Sequence, residues 1–505
     1  MNIRAETPPR VHINLQRGWP STRLLPTQAL LAAADATLQN TTRASESMLY
    51  GPGLGDPALR NGMTKWLSQL YRLRSPPVTQ CPPTNAKGGV QEYHAESISS
   101  ERICITNGAS GNLASVMTAF TDPVYTRRVW MVEPTYFLAC TIFEDAGFQD
   151  RLVGVPEDEQ GLDVELLRAQ IEVVDQQEYA NTSPSKQTEN LKGPPQYEKL
   201  YRHVIYLVPT FSNPSAKTYT IKRREALIRL ARETDALVVT DDCYDFLSWT
   251  VNSEARGNGE ICSVKPHDQD PECSSLPPPP PPRMVDIDAS LPGGDLEWGN
   301  AVSNGSFSKV IGPGMRCGWA EATPAFIKRL NKTGPTLSGG APGQFSSVLI
   351  EHVLSTGALE YHIQNILAPT YRDRSVALQN AIEELLVPLG VEIDIGRPFK
   401  YSSCQAESKS PEKLSGGFFL YITFPEGVSA DIVAAVALKE YNLRFLSAGA
   451  MWVRGSMLKY DKKLLERGAR LCWAWEEAEV LVEGVGRIRD VLVDHLLRGN
   501  GVSQF

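Results

Sequence analysis

Residues 303–319 read SNGSFSKVIGPGMRCGW, a stretch that sets a lone lysine, Lys309, between a pair of serines and a Gly-Pro-Gly turn, with Arg316 seven residues on. Two readings compete. In one this is a surface loop whose lysine makes a salt bridge. In the other a lysine on a tight turn, ringed by hydroxyls and backbone N–H groups, holds a phosphorylated aldehyde. What precedes the lysine favours the second: AVSNGSF (301–307) is a short β-type run, and four similar runs lie upstream. They are RICIT (102–106), RVWMVE (128–133), HVIYLVP (203–209) and ALVVTDD (236–242). Continuous rather than alternating apolarity predicts strands covered on both faces, as in a parallel sheet. Helix-like stretches such as TIKRREALIRLARET (220–234) lie between them, so the fold class is α/β. Ligands of such sheets sit beyond the carboxyl ends of the strands.

The residues after each run therefore matter most. After RICIT comes Asn107-Gly108-Ala109-Ser110-Gly111, small residues opening a helix whose N-terminal N–H groups suit phosphate. After VWMVE comes Tyr136, either a core aromatic or a ring that stacks on a flat heterocycle. After IYLVPTF comes Asn213-Pro214, either a plain turn or a hydrogen-bond donor into the ligand space. After ALVVT come Asp241 and Asp242, which point to opposite faces of the strand, so one alone faces a given ligand. A carboxylate there is costly unless paired, and a cationic heteroaromatic nitrogen is a fitting partner. At about 4 Å and an effective dielectric of about 20, that pair is worth roughly 4 kcal/mol. After AVSNGSF come Ser308, Lys309 and Arg316, a Schiff-base amine and a planar fork for phosphate.

Bulk properties narrow the partners. The 505 residues carry a net charge of −8 without a long basic run, so nucleic acid and anionic membrane are not expected partners. No apolar stretch long enough to span a bilayer occurs, and the start lacks an apolar signal core. The final Ser-Gln-Phe is not the usual peroxisomal tripeptide. Nine scattered cysteines without a C-x-x-C pair, and seven dispersed histidines, argue against a disulfide framework or zinc site and for a reducing, cytoplasmic location. Cys243 is read as a packing residue rather than a nucleophile.

The chain divides into an N-terminal arm (1–45), a large domain (46–325) and a smaller C-terminal α/β domain (326–505). Turn signals in RGWPSTRLLP make the arm read as extended rather than as a core element. Leu59, Met63, Trp66, Leu67 and Leu70 form one helical stripe. Residues 175–199 and 251–283 read as surface insertions, the second ending in the proline run Pro277 to Pro282.

The ordered series of strand-end residues resembles the class I/II aminotransferase family of fold-type I pyridoxal 5'-phosphate (PLP) enzymes, in its 2-aminoadipate and aromatic branch. SFSKVIGPGMRCGW is close to that family's lysine signature, and the resemblance covers nearly the whole chain apart from the insertions. It implies a large domain on a mostly parallel seven-stranded sheet. By that resemblance Lys309 forms the Schiff base with PLP and shuttles the proton, while Asp241 pairs with the ring nitrogen. Tyr244 and Asn213 bond the ring oxygen and Tyr136 stacks on the ring. Ala109, Ser110, Ser306, Ser308 and Arg316 hold the phosphate. Tyr50, in YGPGLGDPALR, reaches the phosphate of a second subunit, which implies a homodimer. Arg470, in RGARLCWAW, clamps the substrate α-carboxylate, with Asn213 beside it, and Gly18, in RGWPS, belongs to an arm closing over the substrate. Arg23, close behind Gly18, is a candidate for a second substrate carboxylate.

Two positions depart from the family pattern: Asn-Pro-Thr-Gly appears as Asn213-Pro214-Ser215-Ala216, and Ala109 stands where a serine is common. The backbone N–H of Ala109 survives that change, with one hydroxyl fewer. The activity implied is ping-pong transfer of an amino group from an α-amino acid to a 2-oxo acid. A PLP-dependent lyase, or an aminocyclopropane-carboxylate-synthase-like elimination, is the alternative on the same scaffold. A ligand-sensing transcription regulator needs a DNA-binding module, and the roughly 45 residues ahead of Tyr50 read as non-helical and non-basic. A dinucleotide dehydrogenase fails because no strand feeds Gly53-Leu54-Gly55 and Pro57 interrupts the turn.

Overall fold

The computed structural model describes residues 10–71, 98–181, 191–251, 279–340, 342–394, 399–400, 413–453 and 463–497. Seven strands build the large sheet: β1 (Ile103–Thr106), β2 (Arg128–Glu133), β3 (Leu152–Asp158), β4 (His203–Leu207), β5 (Ala236–Asp241), β6 (Ala301–Ser306) and β7 (Gly318–Glu321). Their spatial order is β1-β7-β6-β5-β4-β2-β3, and the short strand Gly161–Leu162 extends the β3 edge. β7 runs antiparallel to both its neighbours, while the pairs from β6 across to β3 are parallel. The expected doubly covered strands are present. Val129 and Met131 pack into the apolar layer on one face, and Trp130 and Val132 into the layer on the other. Both sets are buried, which is why these runs lack polar alternation.

A second, antiparallel sheet joins β8 (Glu392–Asp394), β9 (Phe419–Thr423), β10 (Leu446–Ser447) and β11 (Gly468–Cys472) in the order β8-β9-β11-β10. The helices 344–355, 368–385 and 478–491 pack into the core that holds β9 and β11. The expected boundary at 325/326 falls inside the helix Pro324–Leu330, whose Phe326 stacks on Phe120 with ring centroids 3.7 Å apart. Among the described residues no helix is long and apolar enough to cross a membrane.

Three expectations need correction. Residues 1–45 are not simply an extended arm, and the stretch ahead of Tyr50 is not non-helical: helices span Thr27–Gln39 and Thr41–Met48. The first is rich in Ala, Leu and Gln, strong helix formers, and the Asn40 side chain caps the second by accepting from Arg43 N at 3.0 Å. Ahead of them Ile13–Asn14 pairs in parallel with Leu443–Arg444, and Ile13 and Leu15 are wholly buried. The prolines that signalled a loop, Pro20 and Pro26, only delimit the turn before the first helix.

Second, the insertion set at 175–199 starts too early, because the helix Val164–Asn181 runs into it. Lys192 then ties its far end down, donating to the carbonyls of Thr118 and Thr121. Third, the end of the 251–283 insertion is core rather than surface. Pro279 to Pro281 and Arg283 are buried, and Arg283 pairs with Asp286 and Glu321 at 3.0 and 2.8 Å while lying over the Tyr71 ring. Residues 182–190 and 252–278, with Pro277 and Pro278, lie outside the described residues.

Candidate active site

The carboxyl ends of the large-sheet strands open into a cavity of about 420 Å³, roofed by the N-terminal segment 14–20 and by β9 and β11. Twelve expected site residues line it. Ala109, Ser110, Tyr136, Asn213, Asp241, Tyr244, Ser306, Ser308, Lys309, Arg316, Gly18 and Arg470 are brought together there, whereas Arg23 and Tyr50 are not.

The end of the cavity at Gly108 and Arg316 is built first. β1 passes through Asn107 into the helix Gly108–Phe120. Gly108 has φ +82°, and a Cβ there would meet Arg316 Nη2 at 2.8 Å, so the turn requires glycine. Arg316 donates to Asn107 O at 2.9 Å and to Pro313 O at 3.1 Å, which fixes its guanidinium at the helix start. Asn304, which sequence reasoning missed, ties β6 to the same turn: its Nδ2 donates to Ala109 O at 3.1 Å while its Oδ1 accepts from Asn112 at 2.9 Å. Ser306 Oγ donates to Ser308 Oγ at 2.8 Å and accepts from Ser308 N.

Lys309 closes a short helical turn that starts at the fully buried Phe307. Its Nζ donates to Gly18 O at 2.8 Å and lies 5.6 Å from the Tyr244 ring centroid. The arm approaches closely: a Cβ on Gly18 would come 2.7 Å from Phe419 Cζ.

Asp241 stands at the end of β5, half-buried, with its carboxyl Oδ1 out of contact with solvent. Oδ2 accepts from Tyr206 at 3.5 Å, and Oδ1 has no partner among the described residues. Burial first, and then the neighbouring Asp242, push its pKa up to about 6, against the pull of Lys309. Asp242 faces the other way, as the strand geometry requires, and accepts from Thr240 and Ser303 at 2.7 and 2.5 Å. Cys243 is buried in the core, and burial pushes its thiol well above its ordinary value, in keeping with its reading as a packing residue. Burial likewise raises Tyr136 to about 12, keeping it neutral.

Arg470 lies on β11, its guanidinium 4.1 Å from the Phe419 ring centroid. It donates to Asn213 Oδ1 at 2.6 Å and to Gln16 O, while Nε is buried without a partner. Burial lowers its pKa, yet a guanidinium stays charged at neutral pH. Tyr206, Gln16, Arg17 and Phe419 line the cavity and were not picked out from the sequence. The signals available were the position of Tyr206 within a strand run and the adjacency of Gln16 and Arg17 to Gly18.

One expectation is corrected at this point. The Arg23 side chain is 79% exposed and sits 3.6 Å from Glu477, outside the cavity, because the short helical turn Thr22–Leu24 carries it to the surface. Tyr50 is 86% exposed and does not line the cavity of its own chain.

Residues 12–360 match the aminotransferase class I and II family, and the chain belongs to it. A protein of Saccharomyces cerevisiae described as uncharacterized is 30% identical over 97% of this chain and 98% of its own length. An aromatic-amino-acid aminotransferase of Thermococcus litoralis is 24% identical over 96% of this chain and 88% of its own. A 2-aminoadipate transaminase of Thermus thermophilus is 23% identical over 89% and 91%. The crystal structure of Pyrococcus horikoshii kynurenine aminotransferase superposes with a TM-score of 0.67 at 22% identity, over 96% of this chain and 91% of that one. The α-aminoadipate aminotransferase of Thermus thermophilus superposes with a TM-score of 0.64 at 21% identity, over 96% and 93%. These structures share the fold-type I architecture. The protein is a PLP-dependent aminotransferase acting on an amino acid and a 2-oxo acid.

Proposed function

We propose that Lys309 is the amine that carries the cofactor and moves the reacting proton, in a ping-pong transamination between an α-amino acid and a 2-oxo acid. The observation that carries this reading is the company Lys309 keeps: one cavity holds its Nζ, the unpartnered Oδ1 of Asp241 and the unpartnered Nε of Arg470. The donor set fits PLP. A buried carboxylate oxygen without a partner suits a protonated ring nitrogen. The N–H groups opening the helix at Gly108, together with Arg316, Ser306 and Ser308, suit a phosphate. Bound PLP supplies an electron sink for the charge left at the substrate Cα.

The chain's own groups do the rest. Arg470 binds the α-carboxylate and so orients the Cα–H bond. Its hold on Asn213 Oδ1 leaves Asn213 Nδ2 to donate to the ring oxygen, beside the Tyr244 hydroxyl. Lys309 Nζ takes the proton from Cα. Segment 16–18, through its carbonyls to Arg470 and Lys309, closes the cavity against water. Tyr136 offers its ring for stacking. We further infer a homodimer, from the exposed Tyr50 that its own cavity does not use, and a cytoplasmic location, from the scattered cysteines.

The test is the absorption spectrum of the PLP-loaded protein, before and after a single amino acid is added without an oxo acid. Bleaching of the yellow band with release of the 2-oxo acid is expected, and Lys309→Ala should lack the band. A band that persists while ammonia is released points to lyase chemistry instead. A protein that never turns yellow with PLP refutes the role of Lys309.

A further inference from the structure

A second set of ionisable groups lies outside the cavity lining, where the loop after β4 meets β3 and the second sheet. Its centre is the pair Glu157, near the end of β3, and Lys217, in that loop. Their side chains are 3% and 15% exposed, and Lys217 Nζ stands 3.5 Å from Glu157 Oε1. Asp394, the last residue of β8, faces the same ammonium at 3.8 Å.

Lys217 belongs to the loop that presents Asn213. Ser212 N donates to Lys217 O at 2.9 Å and Ala216 N to Ser212 O at 2.8 Å, so the base of the loop closes on the lysine. Phe211 and Ala216 take φ of +49° and +62°, a left-handed conformation that side chains disfavour. Such a loop keeps its shape only where the surroundings hold it. At its tip Asn213 Oδ1 accepts from Arg470. Asp394, Tyr421 and Arg470 are partners in register on adjacent strands of the second sheet, so one row of side chains runs from Lys217 to the cavity.

Glu157 is the group that titrates near neutrality. Burial pushes it up to about 7, against the pull of Lys217 and Ser215, and Asp394 adds to the rise. Burial draws Lys217 down, but Glu157, Asp394 and Glu159 together outweigh it, so the ammonium stays charged. The other groups set against Glu157 are Tyr219, from the same loop, and Tyr421, and burial keeps both phenols neutral.

We propose that Glu157 and Lys217 are positioning residues: their ion pair holds the Asn213 loop against Arg470, and protonation of Glu157 loosens it, so that activity declines on the acid side of neutrality. This rests on the role given above to Asn213, through which both residues act.

Glu157→Gln keeps the shape of the side chain and fixes its neutral state. Hydrogen exchange of the cofactor-free protein reads the loop through the amides of Ser212 and Ala216, corrected for the intrinsic pH dependence of exchange. Between pH 6 and pH 8 their protection should rise about tenfold in the wild type and stay flat in Glu157→Gln. PLP affinity and kcat/KM, each taken as wild type over Glu157→Gln, should climb from near one at pH 6 to about tenfold at pH 8, within what a displaced positioning group costs. Lys217→Arg should keep most of the effect, and Lys217→Met should behave as Glu157→Gln does at every pH. Ratios that stay constant across this range overturn the proposal, since a merely structural loss does not follow the Glu157 proton. So does wild-type protection that ignores pH, a result that depends on no variant. Failure of the Asn213 reading shows separately: protection that follows pH in the wild type alone, while PLP affinity does not, bears out the hold on the loop and refutes the role of Asn213 at the ring.

Discussion

Replacing Asp241 with Asn should make the cofactor-free protein more stable at neutral pH while destroying its activity. The carboxyl has an ordinary pKa of 3.8 and is pushed to about 6 in the fold, first by burial and then by Asp242. A raised carboxyl pKa means that the folded chain resists ionisation more than the unfolded chain does. Below about pH 4 both states are protonated and the group costs nothing. Between there and pH 6 the unfolded state loses its proton first, and stability falls. Above pH 6 the penalty is complete. At about 1.4 kcal/mol per pH unit it reaches about 3 kcal/mol. Asn keeps the shape without the charge. The stability difference between variant and wild type, followed by urea unfolding of the cofactor-free proteins, should therefore grow by about 2–3 kcal/mol from pH 4 to pH 8 in favour of Asn. A cationic ring nitrogen at about 4 Å returns roughly 4 kcal/mol, enough to hold the carboxylate ionised once PLP is bound. The variant forgoes that pairing, and its transamination should fall about thousandfold. A stability difference that stays constant across this pH range refutes the reasoning. So does a variant that keeps wild-type activity.

Other outcomes follow from packing. Gly108→Ala must strain a left-handed turn and press on Arg316, so PLP affinity should drop at least about tenfold, read by titrating the cofactor-free protein. Gly18→Ala drives a methyl into Phe419 and shifts the arm; substrate KM should rise with the yellow band intact. Phe307→Ala removes a fully buried ring packed against Trp66 and Trp319, and should cost about 3–5 kcal/mol in urea unfolding as well as loosening the Lys309 turn. Sedimentation should find a dimer, and Tyr50→Phe should weaken PLP binding; a monomer that binds PLP undiminished refutes the sharing of Tyr50.

Much of the catalytic end was legible because its signals are local. A strand end followed by Gly108-Ala109-Ser110, or by Ser306-Phe307-Ser308-Lys309, writes a helix start or a tight turn into a few consecutive residues. The strands were legible for a related reason: burial on both faces removes polar alternation from runs such as ALVVTD. The helices within 27–48 were missed because the prolines at 20 and 26 outweighed an Ala- and Leu-rich stretch. The burial of Pro279 to Pro281 and Arg283 was missed because composition marks such runs as surface, whereas partners from far along the chain, Tyr71 and Glu321, hold them in the core.

By itself the sequence determined the class of fold and pointed to Lys309, the turns proposed for phosphate and the carboxylate of Asp241, since each depends on residues adjacent in the chain. The tertiary structure alone decided what roofs the cavity. It set Gln16 against Arg470 and Gly18 against Lys309, contacts spanning 454 and 291 residues. It also turned Arg23 outward on a helical turn and set Arg17 at the cavity against two indoles, one of them Trp475. The direction of a side chain on a short arm is set by the surface it packs against. That surface comes from the far end of the chain, so no local pattern records it.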